Sequence, residues 1–462
     1  MPERILFLTG RLAKASLCRE LEGLSDKDFE YEVRDLGLQV AALMTASMIQ
    51  RRLGDIGQAD RVLVPGLCGG SVADLVDHFG IPVEKGPDDL KDIREYFGAE
   101  ARQTDLSRYA VRIFAEIVDA PHLTIDEILE RARAYVADGA DVIDLGCLPG
   151  TPFEHLEEAV SCLITQGFEV SVDSFDTSEL ARGGKAGAHY LLSLKESTLD
   201  LADEAASVPI LIPEEPGDLE SLFRAAEAMT NKGKPFLADA ILDPIHFGFA
   251  ESLARYSELR RRMPQVEIMM GTGNVTELTD ADTTGMTGIL MGVASELNAA
   301  AVLTTEVSPH ARTAVREADA ARRMMYAAKQ DGRLPRGYHD GLLALRDRKP
   351  FPYTPEEIAE TAKAIKDPSF RVQVSEDGIH VYNRDGMHTA QQPFELFPAL
   401  GVEKDGGHAF YLGVELARAQ VAWQLGKRYL QDNELHWGCA VREPDRSDEE
   451  YRPPGTTFKG RQ

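Results

Sequence analysis

Cysteine is scarce in this chain of 462 residues: there are five, Cys18, Cys68, Cys147, Cys162 and Cys439, with no Cys-x-x-Cys pair and no ligand-spaced histidine beside them. That pattern excludes a disulfide framework and reads as free thiols in a reducing compartment. Basic residues are short too, 50 Lys and Arg against 76 Asp and Glu, which leaves a net charge of −26. A phosphate backbone would be repelled, and no basic run offsets the repulsion, so nucleic acid is not an expected partner. Long hydrophobic runs are missing as well. No stretch approaches the roughly 18 apolar residues of a membrane span, and "MPERILFLTG" turns straight into a folded-looking strand. A cytoplasmic protein without a membrane partner is expected.

What is present is a globular composition, 43% apolar and 27% charged. At about 150 residues per domain the length predicts two to four domains. Residues 1–110 alternate short β-rich runs, "RILFLTG", "YEVRDLG" and "DRVLVPG", with helical ones, "KASLCRELEGL", a long "LQVAALMTASMIQRRLG" and "SVADLVDHFG". This predicts a small α/β layer domain. Its loops "LTGRLA" and "GLCGGS" match neither glycine-rich nucleotide spacing, so ordinary turns are the simpler reading.

From residue 111 to 330 the beat is regular. Eight candidate strands, "RIFAEIVD", "DVIDLGC", "EVSVDSF", "HYLLSLK", "VPILIP", "PFLADAIL", "EIMMGTG" and "AAVLTTEVS", are each followed by a stretch able to form a helix, the fourth of them short. Eight βα units in about 220 residues predict a (β/α)8 TIM barrel. Residues 331–368, rich in Pro, Gly and charge, read as a linker with a short helix. Over 369–440, "FRVQVSEDGIHVYNRDG" alternates like a hairpin and precedes a helical segment, a small α+β domain; 441–462 is a tail.

Active sites of such barrels lie at the C-terminal ends of the strands. Asp119, Asp144, Asp173, Ser193, Asp243, Thr272, Asn274 and Glu306 all fall at or near that rim. Acids and hydroxyls from several strands suit a polar, donor-rich small molecule, because a buried donor left unpaired costs about 1–3 kcal/mol. The plain alternative for Asp173 and Asp243 is helix capping. His189, His246 and His310 lack metal spacing and read as satisfied polar residues, and Cys147 has no His near it in sequence to activate it.

In order and spacing, "GADVIDLG", "VSVDSF", "GAHYLLSL" and "ILDPIHFGF" resemble the strand-end motifs of the dihydropteroate synthase and pterin-binding methyltransferase superfamily. The arrangement of flanking domains resembles the branch associated with tetrahydromethanopterin metabolism. The resemblance covers residues 112–329. It implies a transferase joining an activated dihydropterin, as its CH2-pyrophosphate, to an arylamine such as a ribofuranosyl-aminobenzene phosphate. It implies Asp173 and Asp243 as the catalytic pair, with Asp144, Asp173, Ser193, Asp243, Thr272 and Asn274 binding substrate. A homodimer, other pathway proteins as partners, and Mg2+ at Asp119 also belong to it; haem, flavin and zinc do not.

The chain departs from the family pattern at the phosphate end. The first strand reads "EIVDAPHL", leaving Asp119 where the family has a metal-associated Asn; strand seven ends in "MGTGNVTEL" without a lysine; and "TTEVS" puts Thr304 and Glu306 where the family has Arg-x-His. An acid there repels a pyrophosphate. Lys185, Lys195, His310, Arg312 and the amides of "GTGN" are the candidate replacements. The departures keep two alternatives open: C1 or methyl transfer on a reduced pterin, and a non-catalytic pterin-binding scaffold.

Overall fold

The computed structural model describes residues 2–24, 29–38, 41, 44–66, 68–87, 93–97 and 105–442. The chain forms two compact units, Met1–Tyr109 with Arg323–Tyr338, and Ala110–Arg322 with His339–Gln462.

In the first unit β1 (Glu3–Thr9), β2 (Phe29–Asp35), β3 (Arg61–Val64) and β4 (Val83–Lys85) make a parallel sheet in the order β2-β1-β3-β4. Along β1 successive side chains point to opposite faces. Leu6 and Leu8 join one core with Val62 and Val64, while Ile5 and Phe7 join a second with Leu17, Leu21 and Leu63. A sheet covered on both faces explains why "ILFL" is an unbroken apolar run. The expected long helix is shorter than its sequence implies, running from Ala46 to Arg52. Thr45 ends it: its backbone is extended and bridged to Gly69, and its hydroxyl caps Met48 N. Residues 39, 40, 42 and 43 of that segment lie outside the described residues.

The second unit holds a closed, all-parallel barrel of eight strands, a (β/α)8 barrel. Its strands are β5 (Arg112–Ile117), β6 (Val142–Gly146), β7 (Glu169–Asp173), β8 (Tyr190–Leu194), β9 (Val208–Leu211), β10 (Leu237–Ala238), β11 (Glu267–Gly271) and β12 (Ala301–Thr305). All eight expected strands are there. β10 keeps only two residues of "PFLADAIL", because Asp239 Oδ1 accepts from Ile241 N at 2.7 Å and Ile241 adopts φ 60°. A β-branched residue at positive φ cannot continue a strand.

Three antiparallel strands, β13 (Arg371–Ser375), β14 (Gly378–Asn383) and β15 (Gly386–Ala390), complete this unit. Val372, Val374, Ile379 and Val381 pack on helix Gly406–Leu425 through Leu412, Leu416 and Ala419. The "EDG" turn is the predicted hairpin; β15 extends it to three strands. No helix among the described residues is long and apolar enough to cross a membrane.

Candidate active site

At the C-terminal ends of the barrel strands the sequence turns from apolar to acidic. Glu116 on β5 stands opposite Asp144 on β6, and Gly146 opposite Asp173 on β7. This register brings one carboxylate oxygen each of Glu116, Asp144 and Asp173 within 4.8 Å of one another. Gly146 makes the room: a Cβ there would lie 2.5 Å from Glu116 Oε1. Asp144 is wholly buried, and Ser171 Oγ donates to its Oδ1 while Oδ2 has no hydrogen-bond partner.

Charge this dense is costly. Two unit charges about 4 Å apart repel by about 4 kcal/mol even at an effective dielectric of 20. Burial, then Asp173 and Glu277, push Glu116 up to about 8. Burial first, then Asp173 and Glu116, hold Asp144 well above the ordinary carboxylate range. Asp173 is raised by burial, against the Ser193 hydroxyl that donates to its Oδ1 at 2.6 Å. Ser193 itself sits at φ 71°, where the β8–β9 register shifts. Such strain persists only where surrounding contacts over-determine it, and it collects at functional sites.

Past β10, Asp239 accepts from Ile241 N and from the Tyr256 hydroxyl. Burial raises it to about 6, with the Asp173 charge adding to the effect. Asp243, four residues on, is held otherwise. Arg255 Nη2 meets its Oδ2 at 2.6 Å and also donates to Ile241 O at 2.9 Å, so the pair braces the strained loop. Asn274 Nδ2 donates to Leu242 O at 2.8 Å, and Thr272 Oγ1 to Leu303 O at 3.0 Å.

Of the residues singled out by sequence, Asp144, Asp173 and Ser193 therefore form one contiguous group. Asn274 bonds the loop that follows β10, on which Asp243 stands paired with Arg255, while Thr272 is tied to β12. Asp119 stands apart, ion-paired with Arg131 beyond the end of β5 with its side chain about half exposed. Glu116 and Asp239 were not singled out. Their signal is an acid inside or ending an apolar strand, in "IFAEI" and "FLAD", and it is legible only once strand parity is known.

Around this acidic floor the βα loops carry exposed apolar side chains: Phe175, Ile245, Phe247, Leu278 and Val307. Phe247 is 82% and Phe175 71% exposed. The candidate anion donors are largely engaged elsewhere. Lys195 Nζ donates to Glu214 O at 2.8 Å, and His310 Nε2 lies 3.0 Å from Thr276 O. Lys185 ends helix Thr177–Lys185, which returns from the rim toward the opposite face of the barrel, and it pairs with Glu204. Glu306, raised to about 7 chiefly by burial, accepts from Val315 N. Burial, then Glu179, push the Cys147 thiol up, which makes it a poor nucleophile at neutral pH.

Residues 3–88 match a family described as a family of unknown function, DUF6513. Over 94% of its length the chain is 25% identical to an uncharacterized protein of Methanocaldococcus jannaschii, 99% of which is covered. Among solved structures, dihydropteroate synthase of Yersinia pestis in complex with a sulfonamide drug aligns at 18% identity and a TM-score of 0.39, over 49% of this chain and 96% of that one. The 7,8-dihydropteroate synthase of Vibrio fischeri aligns at 16% identity and a TM-score of 0.39, over 49% and 94%.

Proposed function

We propose that the barrel binds a reduced pterin and is a transferase of the dihydropteroate synthase type, joining an activated dihydropterin to an arylamine. The observation that carries the reading is the Asp173 carboxylate, fixed by Ser193 on a strained backbone in an acidic floor under a rim bearing Phe175 and Phe247. A pterin is flat, with N–H donors along one edge. Carboxylate acceptors at the strand ends and aromatic side chains on the βα loops suit both properties, since N–H donors need oxygens and the ring needs apolar surface. Loss of the pterin's leaving group builds positive charge on the exocyclic carbon, and fixed carboxylates stabilise it. In this reading Asp173 accepts from the ring, Asp144 supports it from behind, and Asp243 accepts from the 2-amino edge by giving up part of its bonding to Arg255. The acceptor amine is a ribofuranosyl-aminobenzene phosphate, as in biosynthesis of a tetrahydromethanopterin-type cofactor.

A second reading is favoured by Glu306, a partly protonated acid at the end of β12, with Lys195 and His310 already engaged. Transfer of a C1 group on the reduced pterin needs no pyrophosphate site.

The test gives the full-length protein dihydropterin-CH2-pyrophosphate with an arylamine, with and without the ribose phosphate, and follows both pterin fluorescence and pyrophosphate release. Asp173→Asn is expected to weaken pterin binding by about 10- to 100-fold, the worth of one hydrogen bond to a charged group. Release that Asp173→Asn and Asp243→Asn both abolish supports the synthase. Binding without release by the parent protein sinks the synthase and leaves C1 transfer or a non-catalytic scaffold, and no saturable pterin binding sinks all three.

A further inference from the structure

Three adjacent strands deliver one oxygen each to a single point. Glu116, Asp144 and Asp173 converge within 4.8 Å, and Asp144 Oδ2 is buried without a hydrogen-bond partner. Such an orphan is rare, because buried polar atoms are nearly always satisfied. The rest of the coordination is already ordered: Ser171 Oγ holds Asp144 Oδ1, Ser193 Oγ holds Asp173 Oδ1, and Gly146 leaves the space that the Glu116 carboxylate fills. Ser171 and Ser193 each engage one oxygen of Asp144 and of Asp173 and leave the other oxygen free to bind, which is how ligating carboxylates are set. The charges that act on Glu116 and Asp144 are carboxylates: Asp173 on both, Glu277 on the first and Glu116 on the second. A cation at their centre offsets that repulsion.

We infer that Glu116, Asp144 and Asp173 form a binding site for one hard divalent cation of the Mg2+ or Mn2+ class. The donor set is all oxygen, with neither thiolate nor imidazole, which selects these ions over zinc. Metal–oxygen distances of about 2.1 Å at an octahedral Mg2+ put neighbouring ligands about 3 Å apart and opposite ones about 4.2 Å apart. The three carboxylates are therefore near enough to draw together around one ion. Three protein ligands leave further positions for water or for an oxygen of the bound substrate. The site is not the Asp119 position implied by the family resemblance, since Asp119 is paired with Arg131. The ion is held by protein groups alone, so its binding is measurable without pterin, although Asp173 is shared with the pterin reading.

The experiment titrates Mn2+ into the full-length protein without pterin and counts bound ion by the loss of the free Mn2+ electron paramagnetic resonance signal, with Mg2+ as competitor. One Mn2+ per chain is expected, displaced by Mg2+. Glu116→Gln and Asp144→Asn are each expected to weaken it by at least tenfold, and Asp119→Asn to leave it within twofold. Thermal melting of each variant verifies that it folds. Absence of a saturable site in the parent protein overturns the inference. So does a site that survives both Glu116→Gln and Asp144→Asn, or that is lost with Asp119→Asn. Because pterin is left out, none of these outcomes bears on the proposed reaction.

Discussion

Replacing Arg322 with methionine is expected to destabilise the protein by about 3–5 kcal/mol, the usual cost of removing one partner from a buried ion pair. The Arg322 side chain is only 1% exposed and sits at the N-terminal end of the barrel strands. Its guanidinium donates to Val111 O at 3.0 Å, just before β5, and to Gly139 O at 2.8 Å, just before β6. It also pairs with Asp319 at 2.8 Å and with Asp141, whose Oδ2 in turn accepts from Ile113 N at 2.7 Å. Methionine fills similar volume but leaves two carboxylates and two carbonyls without that donor. At about 2–4 °C per kcal/mol for a domain of 150–250 residues, the melting temperature should fall by roughly 6–20 °C. Arg261→Ala makes the comparison: its pair with Glu258 lies on the surface and should matter by less than about 1 kcal/mol. A fall of under 2 °C for Arg322→Met would show that the clamp carries no net stability.

That clamp also shows what the sequence could and could not disclose. Apolar runs made the eight strands readable, because burial on both faces forces continuous Val, Ile, Leu and Met. Arg322 in "ARRMM" looked like any helical surface residue, since the burial of a guanidinium depends on which carbonyls the topology places beside it. The same limit governs the site. Asp173 ended its strand visibly, Asp144 was placed by the "VIDLG" motif, and Ser193 by the "LLSL" motif. Glu116 lay inside "FAEI", and only its register opposite Asp144 reveals that it points into the floor. Asp243, next to Pro, drew notice through its motif, whereas Asp239 shares the buried environment of Asp173. Strand parity and register are long-range properties, so a single strand's sequence carries little of them.

Glu116→Gln is expected to have the opposite effect from Arg322→Met: in the absence of divalent cation it should stabilise the protein above pH 8 by on the order of a few kcal/mol. The carboxyl titrates near 4.5 in the unfolded chain and near 8 in the folded one. Between these values the folded state keeps a proton that the unfolded state has released, so stability falls as pH rises through that window. Below pH 4.5 both states are protonated and the glutamate costs nothing extra. Glutamine preserves the shape, removes the charge and leaves Asp144, Asp173 and Glu277 with one fewer repelling neighbour. Melting curves of the two proteins should therefore nearly coincide at pH 4.5 and separate progressively from pH 6 to 9, with the variant higher. A variant less stable at every pH would mean that Glu116 is a packing element and that its charge is compensated by a group other than its neighbours. The contrast with Arg322 follows from pairing: the buried cation is surrounded by acceptors, whereas the buried anion faces other anions. An arrangement that lowers the folded state's stability at neutral pH persists where chemistry requires the charge, and stabilising replacements at such positions characteristically cost function.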